Sequence, residues 1–303
     1  MIRRGRKEDK TAIFDLYGRS NSIGFVNRED YFARKFVPEN VFVNEVNGHI
    51  CASVQVNFCP LKINGCKLAA SWLLGQFYDY SRGLKDINAL VGEVIDQQKY
   101  RTLITVIPTD SPKDYGKYGF EEIYRKRVYT INRSHLENAS YKGVSKDFRI
   151  DDLMMLYNSF VSHFDGYLLR NRAYWSDLID LLRFKRYNLA VYYDEEGKAQ
   201  GYMIYYIEAG KVSVVEIVYN NGTALTRLVC YALRLKNSIR LYTSENEDLN
   251  KAFPKIRYHL ETTAVARIND LEMFNHLFSA NAKSTREAFA LAGKPLYLSE
   301  EYY

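Results

Sequence analysis

The sequence predicts a mixed α/β protein in two successive parts, each a mixed, mostly antiparallel sheet flanked by helices. Three observations carry this. Asn47-Gly48 and Asn64-Gly65 each separate strand-like runs, and both dipeptides suit turns that need φ > 0, so they read as hairpins. Asp86–Gln98 then changes period, with Ile87, Leu90, Val91 and Val94 on one helical face. The same order of elements returns in the second half, as a repeat of architecture rather than of residues. A length of 303 residues also favours two domains over one.

The elements follow in order. Ile2-Arg3-Arg4 precedes a helical pattern with Ile13, Leu16 and Tyr17. Residues 29–37 allow a second helix, stopped by Pro38. Val41–Val46, Ile50–Phe58 and Cys66–Tyr78 read as strands. Thr102–Ile107 is a short β-branched strand ended by Pro108. Lys113–Tyr118 fits a short helix ended by Gly119, and Tyr124–Ile131 alternates like a strand. A polar stretch at Ser134–Phe148, carrying Gly143, suits a boundary. Helices at Leu153–Phe160 and Tyr174–Phe184 follow. Strands then come at Leu189–Tyr193, Gln200–Ile207 and Val212–Val218, with turns at Glu196-Gly197 and Ala209-Gly210. Ala224–Lys236 is helical, and Ile239–Thr243 and Thr262–Ile268 are strands. Helical stretches to Ser279 and near Ser284–Ala292 precede a tail from Gly293. The expected domains are 1–135 and 145–270, with 271–303 as a helical extension and tail.

Composition narrows the function classes. Hydrophobic residues make up 47% and charged residues 26%, which suits a globular chain with a sizeable core. The 26 tyrosines suit half-buried strands or pocket walls, and equally a β-rich surface. A formal charge of +6, with no run of five Lys/Arg, does not argue for nucleic acid. Cys51, Cys59, Cys66 and Cys230 have no paired spacing, and the five histidines supply no ligand pairs, so no metal is expected. No apolar run approaches membrane-spanning length, so the expectation is a cytoplasmic protein with reduced thiols.

One segment suggests chemistry. A long strand, 66–78, enters a helix through Tyr80-Ser81-Arg82-Gly83-Leu84-Lys85. A glycine turn aims backbone N–H groups at the helix start, where the helix dipole adds positive charge. An anion such as a pyrophosphate fits there, and Arg82 and Lys85 could add side-chain charge. An ordinary strand-to-helix turn with two solvated cations fits the same residues. Downstream stands Tyr115-Gly116-Lys117-Tyr118-Gly119-Phe120, with Pro108 before it. Gly83 and Tyr115 are 32 positions apart, room for one helix and one strand.

In this order and spacing the chain resembles the GNAT superfamily of N-acetyltransferases. That family has a phosphate loop, Gln/Arg-x-x-Gly-x-Gly/Ala, after its fourth strand, and later Tyr-x-x-x-Gly-Phe. The likeness is greatest to its tandem branch of the enhanced intracellular survival type. Gly201-Tyr202-Met203-Ile204-Tyr205, Val215-Glu216-Ile217-Val218-Tyr219 and Ala266-Arg267-Ile268-Asn269-Asp270 are similar to the second domain of that branch. Two tandem GNAT-like domains are therefore expected, with acetyl-CoA as co-substrate in the first and a degenerate second. The branch's third, sterol-carrier-like domain would begin near residue 270, where about 30 residues remain, too few for such a core.

The resemblance implies roles. Arg82, Gly83, Leu84 and Lys85 would hold the pyrophosphate. Backbone groups around Leu73 and Gly75 would hold the pantetheine arm and polarise the thioester. Tyr115 would be the general acid toward the CoA thiolate, since a phenol with pKa near 10 is protonated at neutral pH. The Tyr303 α-carboxylate would be the base toward the acceptor amine, while a disordered tail is the ordinary alternative. Tyr80 and Lys85 depart from the family loop, and the turn Asn220-Asn221-Gly222-Thr223-Ala224 shows no phosphate loop. A non-catalytic acyl-CoA-binding or scaffold protein is thus a rival reading. A peptidoglycan aminoacyl transferase is a third, without the basic face or helical arm it should need. The expected partner is a small-molecule or lysine-type amine, with no nucleic acid and no membrane, and a homo-oligomer is left open. Glu29, Asp30 and Glu39 could flank a cationic acceptor, with Arg28 beside them.

Overall fold

A computed structural model describes residues 1–20, 31–136, 140–184, 187–208 and 210–299. In chain order it contains β1 (Ile2–Arg4), α1 (Lys10–Arg19), β2 (Val41–Val46), β3 (His49–Ile63) and β4 (Cys66–Tyr78). Then come α2 (Lys85–Gln98), β5 (Ile104–Pro108), β6 (Glu121–Asn132), β7 (Val144–Ser145), α3 (Ile150–Val161), β8 (Tyr167–Leu168) and α4 (Arg172–Phe184). The rest are β9 (Asn188–Tyr193), β10 (Ala199–Glu208), β11 (Lys211–Tyr219), α5 (Gly222–Leu235), β12 (Ser238–Ser244), β13 (Arg257–Ile268), α6 (Leu271–Phe278) and α7 (Thr285–Ala290). The fold is mixed α/β, as the sequence predicts.

The chain divides into two compact units, and strand pairing rather than chain order draws them. The first is Met1–Ile123 with Ala264–Leu291, and the second is Tyr124–Thr263 with the tail from Ala292. β6 and β13 each begin in one unit and end in the other. Residues 264–291 group with the first because Ala264–Ile268 pair antiparallel with β5. Thr285 Oγ1 then accepts from Ile268 N–H, and Asn64 Nδ2 donates to the Ala288 carbonyl.

In the first unit β1, β2, β3 and β4 form an antiparallel run, and β5 joins β4 in parallel. Both hairpins form at the expected turns, where Asn47 and Asn64 take positive φ. β3 runs on to Ile63, past the expected end at Phe58. Its Pro60 lies past Gln55, where β2 leaves β3, so it removes no bond to β2. The part of the expected helix over 29–37 that is described is a single π-helical turn, Tyr31–Lys35. Strand alternation sorts two faces. Phe42, Val54 and Leu73 pack with Ile87, Leu90, Val91 and Val94 of α2. Val41, Val43 and Ile50 pack with Ile13 and Leu16 of α1 and with Tyr31 and Phe32. Each such aliphatic side chain contributes about 1.5–3 kcal/mol on burial. At the far end of α2, Ser71 Oγ on β4 donates to Gln98 Oε1 at 3.0 Å, which fixes the helix on the strand.

The second unit repeats the scheme. β9, β10 and β11 are antiparallel, and β12 joins β11 in parallel after the crossover helix α5. Met203 and Tyr205 face α5, whereas Tyr202 and Ile204 face α3 and α4. Among the described residues no helix is long and apolar enough to cross a membrane.

Glu247 follows β12 in this unit. Its carboxylate accepts from Ser244 N–H at 2.9 Å and from the Tyr219 hydroxyl at 2.9 Å. Burial pushes this carboxyl from 4.5 up to about 7. The folded form therefore holds its proton more tightly than the unfolded chain. Its contribution to stability is complete below pH 4.5 and is lost as pH rises through 7. Glu247→Gln should flatten that decline, read as urea midpoints at pH 5 and pH 8 for the variant and the parent chain.

Candidate active site

The site begins with a fork in the first sheet. β4 and β5 pair in parallel over only three rungs, the last being Trp72↔Val106. Beyond it the register of β3 with β4 slips, from Gln55↔Leu74 to Ser53↔Phe77, so β4 carries one extra residue opposite Val54. This is a β-bulge at Gly75-Gln76, which bends the strand away and frees backbone groups from the ladder. Gly75 has φ +57, and a Cβ there would lie 2.4 Å from the Tyr31 hydroxyl oxygen. That hydroxyl in turn donates to Gln55 Oε1 at 3.0 Å, with the Tyr31 ring packed among Phe32, Phe36 and Phe77. A glycine inside a strand is thus required twice, by dihedral and by space.

The strand leads into α2 through the turn Tyr80–Arg82 and Gly83, whose φ is +68. No side chain caps the helix. Among the described residues the N–H groups of Leu84, Lys85, Asp86 and Ile87 have no acceptor. Four open donors at the positive end of a 14-residue helix favour negative charge there. Lys85 is exposed beside them. Arg82 is less available than its position suggests, because its Nε donates to Asp86 Oδ2 at 2.7 Å.

Tyr115 closes the fork from the β5 side. It sits in the 3-10 turn Pro112–Tyr118, which ends at Gly119 in the left-handed region. Its hydroxyl donates to Gln76 Oε1 on the bulge at 3.1 Å. Burial pushes this hydroxyl up to about 12, so it stays protonated at neutral pH. Two bonds hold the turn. The Tyr118 hydroxyl donates to the Asn88 carbonyl of α2 at 2.9 Å, and Arg267 Nη1 donates to the Tyr118 carbonyl at 2.9 Å. Asn269 Nδ2 donates to the Thr102 carbonyl at 2.8 Å and anchors the strand end behind it.

The structure thus gathers Leu73, Gly75, Arg82, Gly83, Leu84, Lys85 and Tyr115 around one fork. Leu73 has a buried side chain and offers only its backbone. Tyr303, Glu29, Asp30 and Arg28 lie outside the described residues, and Glu39 is exposed on the turn Pro38–Asn40. Gln76, Tyr31 and Arg267 complete the site, although no motif in the sequence marks them as site residues. Gly75 within a strand is the signal for a bulge, and hence for Gln76. The partners of Tyr31 and Arg267 are distant in sequence and leave no local mark. Among the described residues no cluster of three or more His, Cys, Asp or Glu could hold a metal ion.

Each unit carries a parallel strand pair joined by a crossover helix, and comparisons with known proteins find this fold among acyltransferases. Residues 166–268 match the family model described as the acetyltransferase (GNAT) domain. A probable N-acyltransferase from Enterococcus faecalis superposes with a TM-score of 0.74 at 20% identity, covering 90% of this chain and 74% of that one. A GCN5-related N-acetyltransferase from Anabaena variabilis gives 0.74 at 15% identity, covering 89% and 73%. Eis1 from Mycobacterium abscessus gives 0.66 at 14% identity, covering 90% and 75%. At these identities the likeness is one of fold. No curated protein matches the chain in sequence.

Gly75→Ala should destabilise the chain by about 1–3 kcal/mol, the usual scale of a strained φ or a buried clash. Urea denaturation measures it. Adding Tyr31→Phe, which removes the clashing oxygen, should recover part of the loss. Strict additivity of the two changes would speak against this packing.

Proposed function

We propose that this chain is an acetyl-CoA-dependent N-acetyltransferase whose donor binds in the β4/β5 fork. The observation that carries the reading is the Tyr115 hydroxyl, held across a fork whose other end is an open helix N-terminus. The pyrophosphate would take the N–H groups of residues 84–87, with Lys85 at its side. The pantetheine arm would run along the β4 backbone from Leu73 to Gly75, in place of the missing β5 rungs. The acceptor is an amine, of a small molecule or of a lysine side chain.

The chemistry is direct transfer. The amine nitrogen attacks the thioester carbonyl carbon, the C–N bond forms and the C–S bond breaks. The thiolate leaves next to Tyr115. At about 12 that phenol holds its proton more tightly than a thiol, whose ordinary value is about 8.5. Full proton transfer in the resting geometry is therefore uphill by roughly 3 units, about 4–5 kcal/mol. Tyr115 serves first as a hydrogen-bond donor to the developing sulfur anion, and its proton follows as charge builds there. The proton lost by the amine passes to a base.

Tyr115→Phe should lower kcat about 10²–10⁴-fold, the range for a positioned acid, with little change in KM for acetyl-CoA. A thiol-release assay against a panel of amines measures both, and full turnover by the variant would refute the assignment. Because burial holds Tyr115 at about 12, its ionisation should produce no falling limb in the pH–rate profile below pH 10. Calorimetry with millimolar acetyl-CoA separates this reading from a scaffold, which should show no binding.

A further inference from the structure

The second unit has a fork of its own. β11 and β12 pair in parallel over three rungs that end at Val214↔Leu241. The β10–β11 register slips directly beyond, from Tyr205↔Val214 to Ile204↔Glu216, which leaves Val215 as an extra residue. Rungs and bulge therefore follow the plan of the first fork. The helix after it does not. Asn221 Oδ1 accepts from Ala224 N–H at 2.9 Å, so α5 carries a side-chain cap where α2 has none.

The second fork is filled by the chain's own tail. The Asp165 N–H donates to the Pro295 carbonyl at 2.9 Å, and the Tyr297 N–H donates to the Asp165 carbonyl at 3.0 Å. On the β12 prong, Ser244 Oγ donates to the Leu296 carbonyl at 2.8 Å. On the β11 prong, Ser299 Oγ donates to Glu216 Oε2. Tyr297, Leu298 and Ser299 are all buried, and the Tyr297 ring packs against Tyr157, Phe160 and Phe164.

Beneath the tail lies a buried ion pair. Arg170 Nη1 and Nη2 donate to the two Glu216 oxygens at 2.8 and 2.9 Å, and both side chains are fully buried. The Tyr202 hydroxyl donates to Glu216 Oε1 as well. The Arg170 guanidinium lies 4.2 Å from the Tyr157 ring centre and 5.3 Å from that of Trp175. A buried pair adds little net stability over apolar packing, whereas it fixes geometry by demanding that each lone pair be met. Ser299 meets one of those on Glu216.

We propose that the second unit is a peptide-binding module, with the β11/β12 fork as its cleft and residues 295–299 as its tethered ligand. Backbone bonds along the tail supply affinity, the Tyr297 pocket and the Ser299–Glu216 bond supply specificity, and the capped α5 excludes a phosphate-bearing donor. The cleft stands or falls independently of whether the first unit binds an acyl donor.

The test cuts the tail after folding. A protease site replaces the exposed residues 292–294 in the full chain, and the folded protein is cleaved there. The probe is a fluorophore-labelled synthetic peptide of residues 295–303. The cleaved fragment should stay with the protein through gel filtration and exchange with the labelled peptide. A labelled peptide carrying Ser299→Ala should bind at least about tenfold more weakly, since it loses a hydrogen bond to a charged group. Millimolar coenzyme A should not displace the probe. Absence of peptide binding, equal affinity of the alanine peptide, or displacement by coenzyme A would each overturn the proposal. A second measurement leaves the chain uncut. Ser299→Ala should speed hydrogen exchange at residues 213–219 about tenfold while β2 and β3 stay unchanged, by loss of the same bond. Unaltered exchange there would overturn it too.

Discussion

The bulge at Gly75 is the constraint on which the first unit's site depends. A parallel pair that stayed in register would satisfy its own backbone and leave nothing to bind. One extra residue in β4 ends the pairing at Trp72↔Val106 and turns the strand away from β5. Everything else at the site follows from that departure. It frees the strand edge, presents Gln76 to Tyr115, and carries the chain on to the turn that starts α2. Tyr31 holds the bulge from behind, and Gly75 accommodates the tyrosine because it has no side chain.

The wall opposite the bulge is fixed by residues from far along the chain. Tyr115 lies on an irregular turn, the kind of segment that needs outside support to hold a side chain in place. Tyr118 ties the turn to α2, and Arg267 ties its carbonyl end to β13. A motif near the end of the second half thus serves the first site, because β13 changes unit and pairs with β5. Hydrogen bonds of this sort contribute about 0.5–1.5 kcal/mol each, so their main effect is geometric.

The two forks share a plan and differ in electrostatics. α2 starts with four unaccepted N–H groups and an exposed lysine. α5 starts with its own asparagine cap. An open helix end of this kind favours an anion by roughly 0.3–2 kcal/mol before any side chain acts. In the second fork a buried carboxylate, bound by Arg170 and Tyr202, takes a further hydrogen bond from a serine of the tail instead. One plan thus carries an open helix end in one unit and a tail-filled fork in the other.

By itself the sequence determined the local pieces. Asn-Gly pairs set the hairpins, the spacing of Ile87, Leu90, Val91 and Val94 set the buried face of α2, and Gly83 and Gly119 marked where the chain turns with positive φ. These depend on residues a few positions apart, so pattern and backbone sterics are enough. Tertiary structure decided the rest. The Asp86 carboxylate engages Arg82, Gln76 meets Tyr115, residues 264–291 close the first unit, and the tail fills the second fork. The Arg82–Asp86 pair is close in sequence, but the choice of Asp86 over a bound anion depends on how the turn enters α2. The others join groups that strand register or exchange brings together from 39 or more positions apart, and a register leaves no local signature.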